Sequence, residues 1–272
     1  MIDINKIMFK KFPGGELHLT DDWTKNVHAL QDDTILCRIQ ESDDLIKLCL
    51  FVDGYKRVTN KLPNTLVLPY IPYARQDRVA NYGEALSIKV FCNIINSLKF
   101  NEVVVLDPHS DVCVALLDNV HVIPQWKIFA DCIMGDVDLI SPDAGALKKI
   151  YKLQTELKQL YPDSNIVVRT ATKHRDTQTG WITDTTLDGQ PTNKTAVVVD
   201  DICDGGGTFV ALGKVIKPQY DKCILMVTHG IFSKGLEELS KYYDRILSTN
   251  SWNGELKGVN ALRVINVESK LM

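Results

Sequence analysis

No run of about 18 apolar residues occurs anywhere in the 272-residue sequence, so no membrane span is expected. The first twelve residues, Met1 to Phe12, interleave Asp3, Lys6, Lys10 and Lys11 with apolar side chains and contain no signal-peptide core. A basic cluster is also missing. Thirty-one Lys and Arg against 34 Asp and Glu give a formal net charge of −3, which argues against a nucleic-acid partner and leaves small charged metabolites. Cys37, Cys49, Cys92, Cys113, Cys132, Cys203 and Cys223 are scattered, odd in number and without a C-x-x-C pair. That pattern excludes a disulfide framework or zinc site as an expectation and places the protein in the reducing cytoplasm. Strict internal repeats are absent, and linkers rich in Gly or Pro are sparse. At 45% hydrophobic and 24% charged, the chain can bury the core of one large or two modest domains.

Strands and helices alternate along the chain. Short β-rich runs occur at Thr34–Cys37, Thr65–Leu68, Glu102–Leu106, Ile166–Val168, Thr195–Val199 and Lys222–Val227, with helical stretches between several of them. This is the pattern of an α/β fold with a mostly parallel sheet flanked by helices. One helix begins after Ser42 as N-cap, with Leu45, Leu48, Cys49 and Val52 on one face; another carries Val90, Phe91, Ile94, Ile95 and Leu98. Both are packing faces. The best boundary lies near Val122-Ile123-Pro124, dividing the chain into residues 1–123 and 124–272. The segment from Ser164 to Asn193 is polar and ends in Thr185–Thr195, which reads as an exposed hairpin or flap.

Three apolar runs end in polar signatures: Leu106-Asp107-Pro108-His109, Ile140-Ser141-Pro142-Asp143-Ala144-Gly145, and Val197-Val198-Val199-Asp200-Asp201-Ile202-Cys203-Asp204-Gly205-Gly206-Gly207-Thr208. Ligands bind at the carboxyl ends of strands in open α/β sheets, so these tips are expected to converge. In the third, a glycine turn ending in Thr208 leads into an apolar segment, Phe209 to Ile216, that reads as helix. Glycines let backbone N–H groups close on an anion, Thr208 adds a hydroxyl, and the helix N-terminus favours negative charge. Asp200 and Asp201 are poor phosphate ligands but accept hydrogen bonds from vicinal hydroxyls, and as exposed acids they have no packing role. A sugar phosphate is the implied ligand. Cys203, within this turn, reads as a small filler.

Two further segments are basic. Pro72-Tyr73-Ala74-Arg75-Gln76-Asp77-Arg78 runs into an aperiodic stretch ending at Glu84 and reads as a mobile loop, and Lys173-His174-Arg175 lies in a second irregular region. Guanidinium groups bind phosphates bidentately and stay charged at working pH.

Together with Phe12-Pro13-Gly14-Gly15-Glu16 and Thr228-His229-Gly230-Ile231-Phe232, these motifs stand in the order and spacing of the ribose-phosphate pyrophosphokinases, which the chain resembles along nearly its whole length. The resemblance implies two phosphoribosyltransferase-like domains with the active site between them. It also implies transfer of a diphosphoryl group from Mg-ATP to the anomeric hydroxyl of ribose 5-phosphate, with release of AMP. Residues 1–123 would form the ATP side with its mobile loop at 75–84, and residues 124–272 would carry the sugar-phosphate loop at 200–208. By the same resemblance Phe12 and Glu16 reach the ATP base from a neighbouring subunit, which makes the protein a homo-oligomer, at least a dimer. Arg75 and Gln76 would hold ATP, and His109 and Asp143 would position Mg²⁺. Lys173 and Arg175 would be catalytic, on a flexible loop over the transferred group. Asp200 and Asp201 would take the ribose hydroxyls, and Asp204, Gly205, Gly206, Gly207 and Thr208 the 5-phosphate. These roles suit a reaction in which the protein positions substrates and neutralises phosphate oxygens.

The chain departs from the family pattern at several points. Gly14 stands where Asp or Asn is usual, Val112 to Leu117 replaces the usual Gln-x-Gln-Gly-Phe-Phe, and the sequence stops at Met272, short of the usual C-terminal extension. These put the family's hexamer and regulatory nucleotide site in doubt. Gly205 and Gly206 replace the usual Thr and Ala or Cys. Loss of that hydroxyl and bulk leaves two acceptors open, ribose 5-phosphate and ADP-ribose, the latter used by relatives in NAD synthesis. A phosphoribosyltransferase or a non-catalytic regulatory homologue would be the alternatives. The first does not need Pro72 to Arg78 or His109, and the second would have lost the catalytic charges that are present.

Overall fold

A computed structural model describes residues 1–25, 33–175, 182–253 and 261–270, without the side chains of residues 173–175, 182–184 and 269–270. The chain divides into two compact units, Met1–Ile123 and Pro124–Met272.

In the first unit the elements are β1 (Ile2–Asp3), β2 (Phe9–Lys11), β3 (Leu17–Leu19), β4 (Thr34–Leu36), α1 (Ser42–Thr59), β5 (Thr65–Leu68), α2 (Ser87–Ser97), β6 (Glu102–Leu106), α3 (Asp111–Leu116) and β7 (Val120–Ile123). Strands β1, β4, β5, β6 and β7 form one parallel sheet in that order, while β2 and β3 pair as an antiparallel hairpin. All four residues of β5 are buried, as a central parallel strand covered on both faces requires. Helix α1 buries Leu48, Phe51, Val52 and Tyr55, and the Trp23 ring meets Phe51 edge-on at 5.0 Å. Its N-cap is Glu41, not Ser42: the backbone turns one residue earlier, and a capping box joins Glu41 to Asp44. On α2 the buried stripe is Ile88, Phe91, Cys92 and Ile95, spaced i, i+3, i+4, i+7. Val90, expected on that face, is 57% exposed because it falls outside the stripe.

The second unit runs α4 (Gln125–Phe129), β8 (Val137–Ser141), α5 (Leu147–Leu160), β9 (Ile166–Arg175), β10 (Ile182–Leu187), β11 (Thr195–Cys203), α6 (Gly207–Ile216), β12 (Lys222–Gly230), α7 (Glu237–Ser240), β13 (Arg245–Thr249) and β14 (Leu262–Ile265). Its seven-stranded sheet has the order β10-β9-β8-β11-β12-β13-β14, parallel except for the β9–β10 hairpin. Strands β9, β11 and β12 extend further than their apolar runs, because residues with polar side chains continue the backbone ladder. Phe209, Leu212 and Ile216 of α6 pack with Ala196, Val198, Cys223, Leu225 and Val227 of the sheet.

A polar knot lies inside this unit. The fully buried Asp138 of β8 accepts from Arg169 Nε at 2.8 Å, the Tyr220 hydroxyl at 2.8 Å, the Thr192 backbone N–H at 3.0 Å and Asn193 Nδ2 at 2.8 Å. Arg169 also donates to the Asp188 carbonyl at 2.7 Å and to Thr192 Oγ1 at 3.1 Å. These bonds tie both ends of the β9–β10 hairpin to the sheet. Removing one partner of a buried charge pair strands the other, so Asp138→Ala should lose about 3–5 kcal/mol of unfolding free energy in urea titrations. A loss below about 1 kcal/mol, the size of an exposed pair, would show that the knot is not a buried ion pair in solution.

Candidate active site

Strands β8, β11 and β12 are parallel neighbours, with Val198 beside Ile140 and Cys203 beside Gly230, so the turns that follow them share one edge of the sheet. Ser141–Gly145, Asp200–Thr208 and Thr228–Phe232 are therefore brought together at a carboxyl edge. The remaining polar tip, Leu106–His109, belongs to the other unit. Pairing of β9 with β8 stops at Thr170 beside Ser141, so the backbone of Lys173 and Arg175 continues past the same edge, with Lys173 paired to Thr185 of β10. The side chains of Lys173 and Arg175, and residues 176–181 of the expected catalytic loop, lie outside the described residues.

The acid pair is not exposed as expected. Asp201 is buried, and its Oδ2 accepts from Lys149 Nζ at 2.9 Å; Asp200 is half-buried, and its Oδ1 accepts the Asp201 N–H at 2.8 Å. Burial, and then the neighbouring charge of Asp201, push the Asp200 carboxyl well above the usual carboxylate range; Asp143 acts in the same direction and Lys149 against it. Four charged groups thus share one neighbourhood. Sequence reasoning missed Lys149, since nothing in its spacing links the first turn of α5 to β11. Only the adjacency of β8 and β11 does.

Beyond the pair, Gly206 sits at φ +74° as the N-cap of α6 and supplies no side-chain cap, so the first-turn N–H groups are left without intrahelical or capping acceptors. A Cβ built on Gly207 would meet nothing within 4 Å, which leaves that side of the turn open. Thr208, half-buried, is on the same turn. The Asp204 carboxylate accepts from Ser233 Oγ at 2.7 Å, so it shapes the turn. The Cys203 carbonyl accepts the N–H groups of Ile231 and Phe232 at 2.9 and 3.1 Å, clamping the loop after β12 onto it. Only glycine fits at Gly230, where a Cβ would lie 2.2 Å from the Phe232 ring. The Cys203 thiol, pushed up to about 12 by burial, is an inert core group.

Asp143 Oδ1 accepts the N–H groups of Gly145 and Ala146 at 3.0 and 3.3 Å, folding the turn into α5. In the first unit, Arg75 and Gln76 are exposed on the loop after β5, and Gln76 N–H donates at 2.8 Å to Tyr73, whose φ is +63°. Glu84 closes the end of that loop by accepting the N–H groups of Ala80 and Asn81, both at 3.0 Å. Exposed His109 follows β6 and buried Asp107, so both segments stand at the carboxyl edge of their own sheet. Phe12 and Glu16 sit at the exposed tip of the β2–β3 hairpin, joined by a 2.8 Å backbone bond, with Lys10 Nζ 4.8 Å from the Phe12 ring centroid. Among the described residues no group of three or more His, Cys, Asp and Glu side chains is placed to hold a metal ion.

Residues 126–262 match the phosphoribosyl transferase domain, and residues 2–98 match the N-terminal domain of ribose phosphate pyrophosphokinase. The chain belongs to the ribose-phosphate pyrophosphokinase family. It is 28% identical to the ribose-phosphate pyrophosphokinase of Mycoplasma genitalium, over 98% of this chain and 82% of that protein. The Pyrococcus furiosus enzyme of the same name is also 28% identical, over 91% and 86%. The crystal structure of phosphoribosylpyrophosphate synthetase from Mycobacterium smegmatis has the same fold, with a TM-score of 0.79 at 20% identity, covering 97% of this chain and 87% of that one. The chain is thus an enzyme of the ribose-phosphate diphosphotransferase type. No helix among its described residues is long and apolar enough to cross a membrane.

Because Asp200 titrates higher in the folded than in the unfolded chain, the native state binds the proton more tightly. The contribution of this group to stability therefore falls as pH rises from about 4, the ordinary Asp range, toward neutrality. Asp200→Asn should be more stable than the wild type at pH 7 and flatten that slope in thermal unfolding. A variant less stable than the wild type at pH 7 would contradict the assignment.

Proposed function

We propose that this enzyme transfers the β,γ-diphosphoryl group of ATP to the anomeric C1 hydroxyl of ribose 5-phosphate, giving phosphoribosyl pyrophosphate and AMP. The observation that carries the reading is an acid pair directly ahead of an uncapped glycine turn, in a chain whose relatives over nearly its full length are named ribose-phosphate pyrophosphokinases. Asp200 and Asp201 receive the vicinal ribose hydroxyls, while Lys149 offsets the charge of Asp201. The first-turn N–H groups of α6 and the Thr208 hydroxyl receive the 5-phosphate. The second unit is then the sugar-phosphate side. The first unit is the ATP side, where Arg75 and Gln76 hold the nucleotide; Phe12 and Glu16 meet the base from a neighbouring subunit, so the working form is at least a dimer.

In the transfer a bond forms between the C1 oxygen and the β-phosphorus as the bond to the oxygen bridging α and β breaks. The hydroxyl loses its proton, and AMP leaves with the bridging oxygen. Lys173 and Arg175, on the hairpin beyond the sheet edge, neutralise the oxygens of the moving group. Magnesium fits the donors: it takes oxygen ligands and few protein groups, and the Asp143 carboxylate with the triphosphate would be such a set, His109 being the other residue that the resemblance assigns to it. When bound it would withdraw charge from the phosphate oxygens.

Ribose 5-phosphate is preferred over ADP-ribose because the curated relatives are named for ribose phosphate and because Gly206 has a use without a larger acceptor, its left-handed φ. Mass spectrometry of incubations with ATP and each acceptor separates the readings. AMP and phosphoribosyl pyrophosphate are expected with ribose 5-phosphate, whereas product with ADP-ribose alone overturns this choice. Absence of AMP with either overturns the reaction. Lys173→Ala should lower kcat roughly 100-fold or more with the KM for ATP little changed, as expected for a contact made in the transition state. Near-normal kcat would remove Lys173 from the chemistry.

A further inference from the structure

On the reading that the glycine turn holds a sugar phosphate, a cation beside that turn bears directly on binding. A phosphate monoester brings a nearly dianionic group beside Asp200, Asp201 and Asp204, and Lys149 is already bonded to Asp201 at 2.9 Å. The backbone N–H groups of the turn and the Thr208 hydroxyl are dipoles, so a nearby cation would add a charge that they do not supply. We propose that Lys234 is a further phosphate-binding residue of this enzyme, its stem lying along the turn beside Gly205.

A Cβ placed on Gly205 would meet Lys234 Cδ and Cε, each at 3.6 Å, and Cγ at 3.9 Å. The lysine stem therefore lies in van der Waals reach of the Cβ direction of Gly205, lining that flank of the turn, and its ammonium lies one bond beyond Cε. The backbone of Lys234 is fixed against the same turn. Ser233 N–H donates to the Asp204 carbonyl at 3.2 Å and its hydroxyl to Asp204 Oδ1 at 2.7 Å, while Gly235 N–H closes back on the Phe232 carbonyl at 2.8 Å. Positive φ at Phe232 and Gly235, +50° and +76°, folds the segment into this tight arch. Among the described residues Lys234 is exposed and forms no ion pair, so its charge remains available to a ligand. An unbranched stem on a glycine surface with a solvated head is how lysine delivers a point charge to a phosphate.

Lys234 would act in acceptor binding without touching ATP. Calorimetry of ribose 5-phosphate in the absence of ATP, with ribose as phosphate-free control, tests this on Lys234→Met, which keeps the stem, and Lys234→Arg, which keeps the charge. The Met variant should bind ribose 5-phosphate about tenfold more weakly, the worth of a hydrogen bond to a charged group. The Arg variant should stay near wild type, and the KM for ATP should not move. Gly205→Thr should also weaken binding by displacing the stem, and adding Lys234→Met to it should cost little more, because the two act through one contact. Equal affinity of wild type and Lys234→Met for ribose 5-phosphate overturns the proposal, as do fully additive losses in the double variant. Binding that depends on Lys234 without any AMP formation would overturn the proposed reaction and leave this inference standing. A wild-type protein that does not bind ribose 5-phosphate overturns both.

Discussion

The ion pair between Lys149 and Asp201 is the interaction on which the site depends. Two adjacent carboxylates at the end of a buried strand repel one another and lose water. Without a counter-charge the pair would be driven to bind a proton apiece or to open the sheet edge. Lys149 relieves this from the first turn of α5, a helix whose start is set by Asp143 folding the preceding turn. The same arrangement that launches α5 therefore places the charge that lets Asp200 and Asp201 stand side by side. Burial, and then their mutual repulsion, stay as stored destabilisation, visible in the raised Asp200. Such a cost at a strand tip is characteristic of groups kept for a ligand and not for stability.

Around that pair the second unit supplies rigidity of a different kind. Parallel strands deliver their ends to one edge, and backbone bonds from Ile231 and Phe232 to the Cys203 carbonyl hold the loop after β12 against the glycine turn. The hairpin that carries Lys173 and Arg175 leaves the sheet at Thr170, and the buried carboxylate of Asp138 secures its two ends through Arg169, Thr192 and Asn193. A long antiparallel arm with a fixed base suits residues that must come over a substrate after it has bound.

The sequence was most legible where physical chemistry is local. The valine run ending at two aspartates and three glycines announces strand, turn and helix start in one segment. Arg75 with Gln76, His109 and Asp143 follow apolar strands closely enough to be placed on carboxyl edges. Legibility failed where the answer is tertiary. The pair at Asp200 and Asp201 reads as exposed because Lys149, 52 residues earlier, is not visible in its surroundings. Lys234 likewise looks like an ordinary surface lysine until the loop after β12 is laid on Gly205. Small local misreadings have the same origin: Ser42 is a good capping residue, but Glu41 and Asp44 make the box, and Val90 is apolar yet off the buried stripe of α2.

On the proposed function, one sheet edge reads a ribose through its hydroxyls and its phosphate together. Equilibrium binding of ribose 5-phosphate, 2-deoxyribose 5-phosphate and ribose to the wild-type enzyme addresses it directly. The acid pair should make 2-deoxyribose 5-phosphate bind at least about tenfold more weakly than ribose 5-phosphate, since a carboxylate is left without its hydroxyl, and ribose should be weaker still for want of the phosphate. Equal affinity for ribose 5-phosphate and its 2-deoxy analogue would contradict the assignment of Asp200 and Asp201, and with it the account.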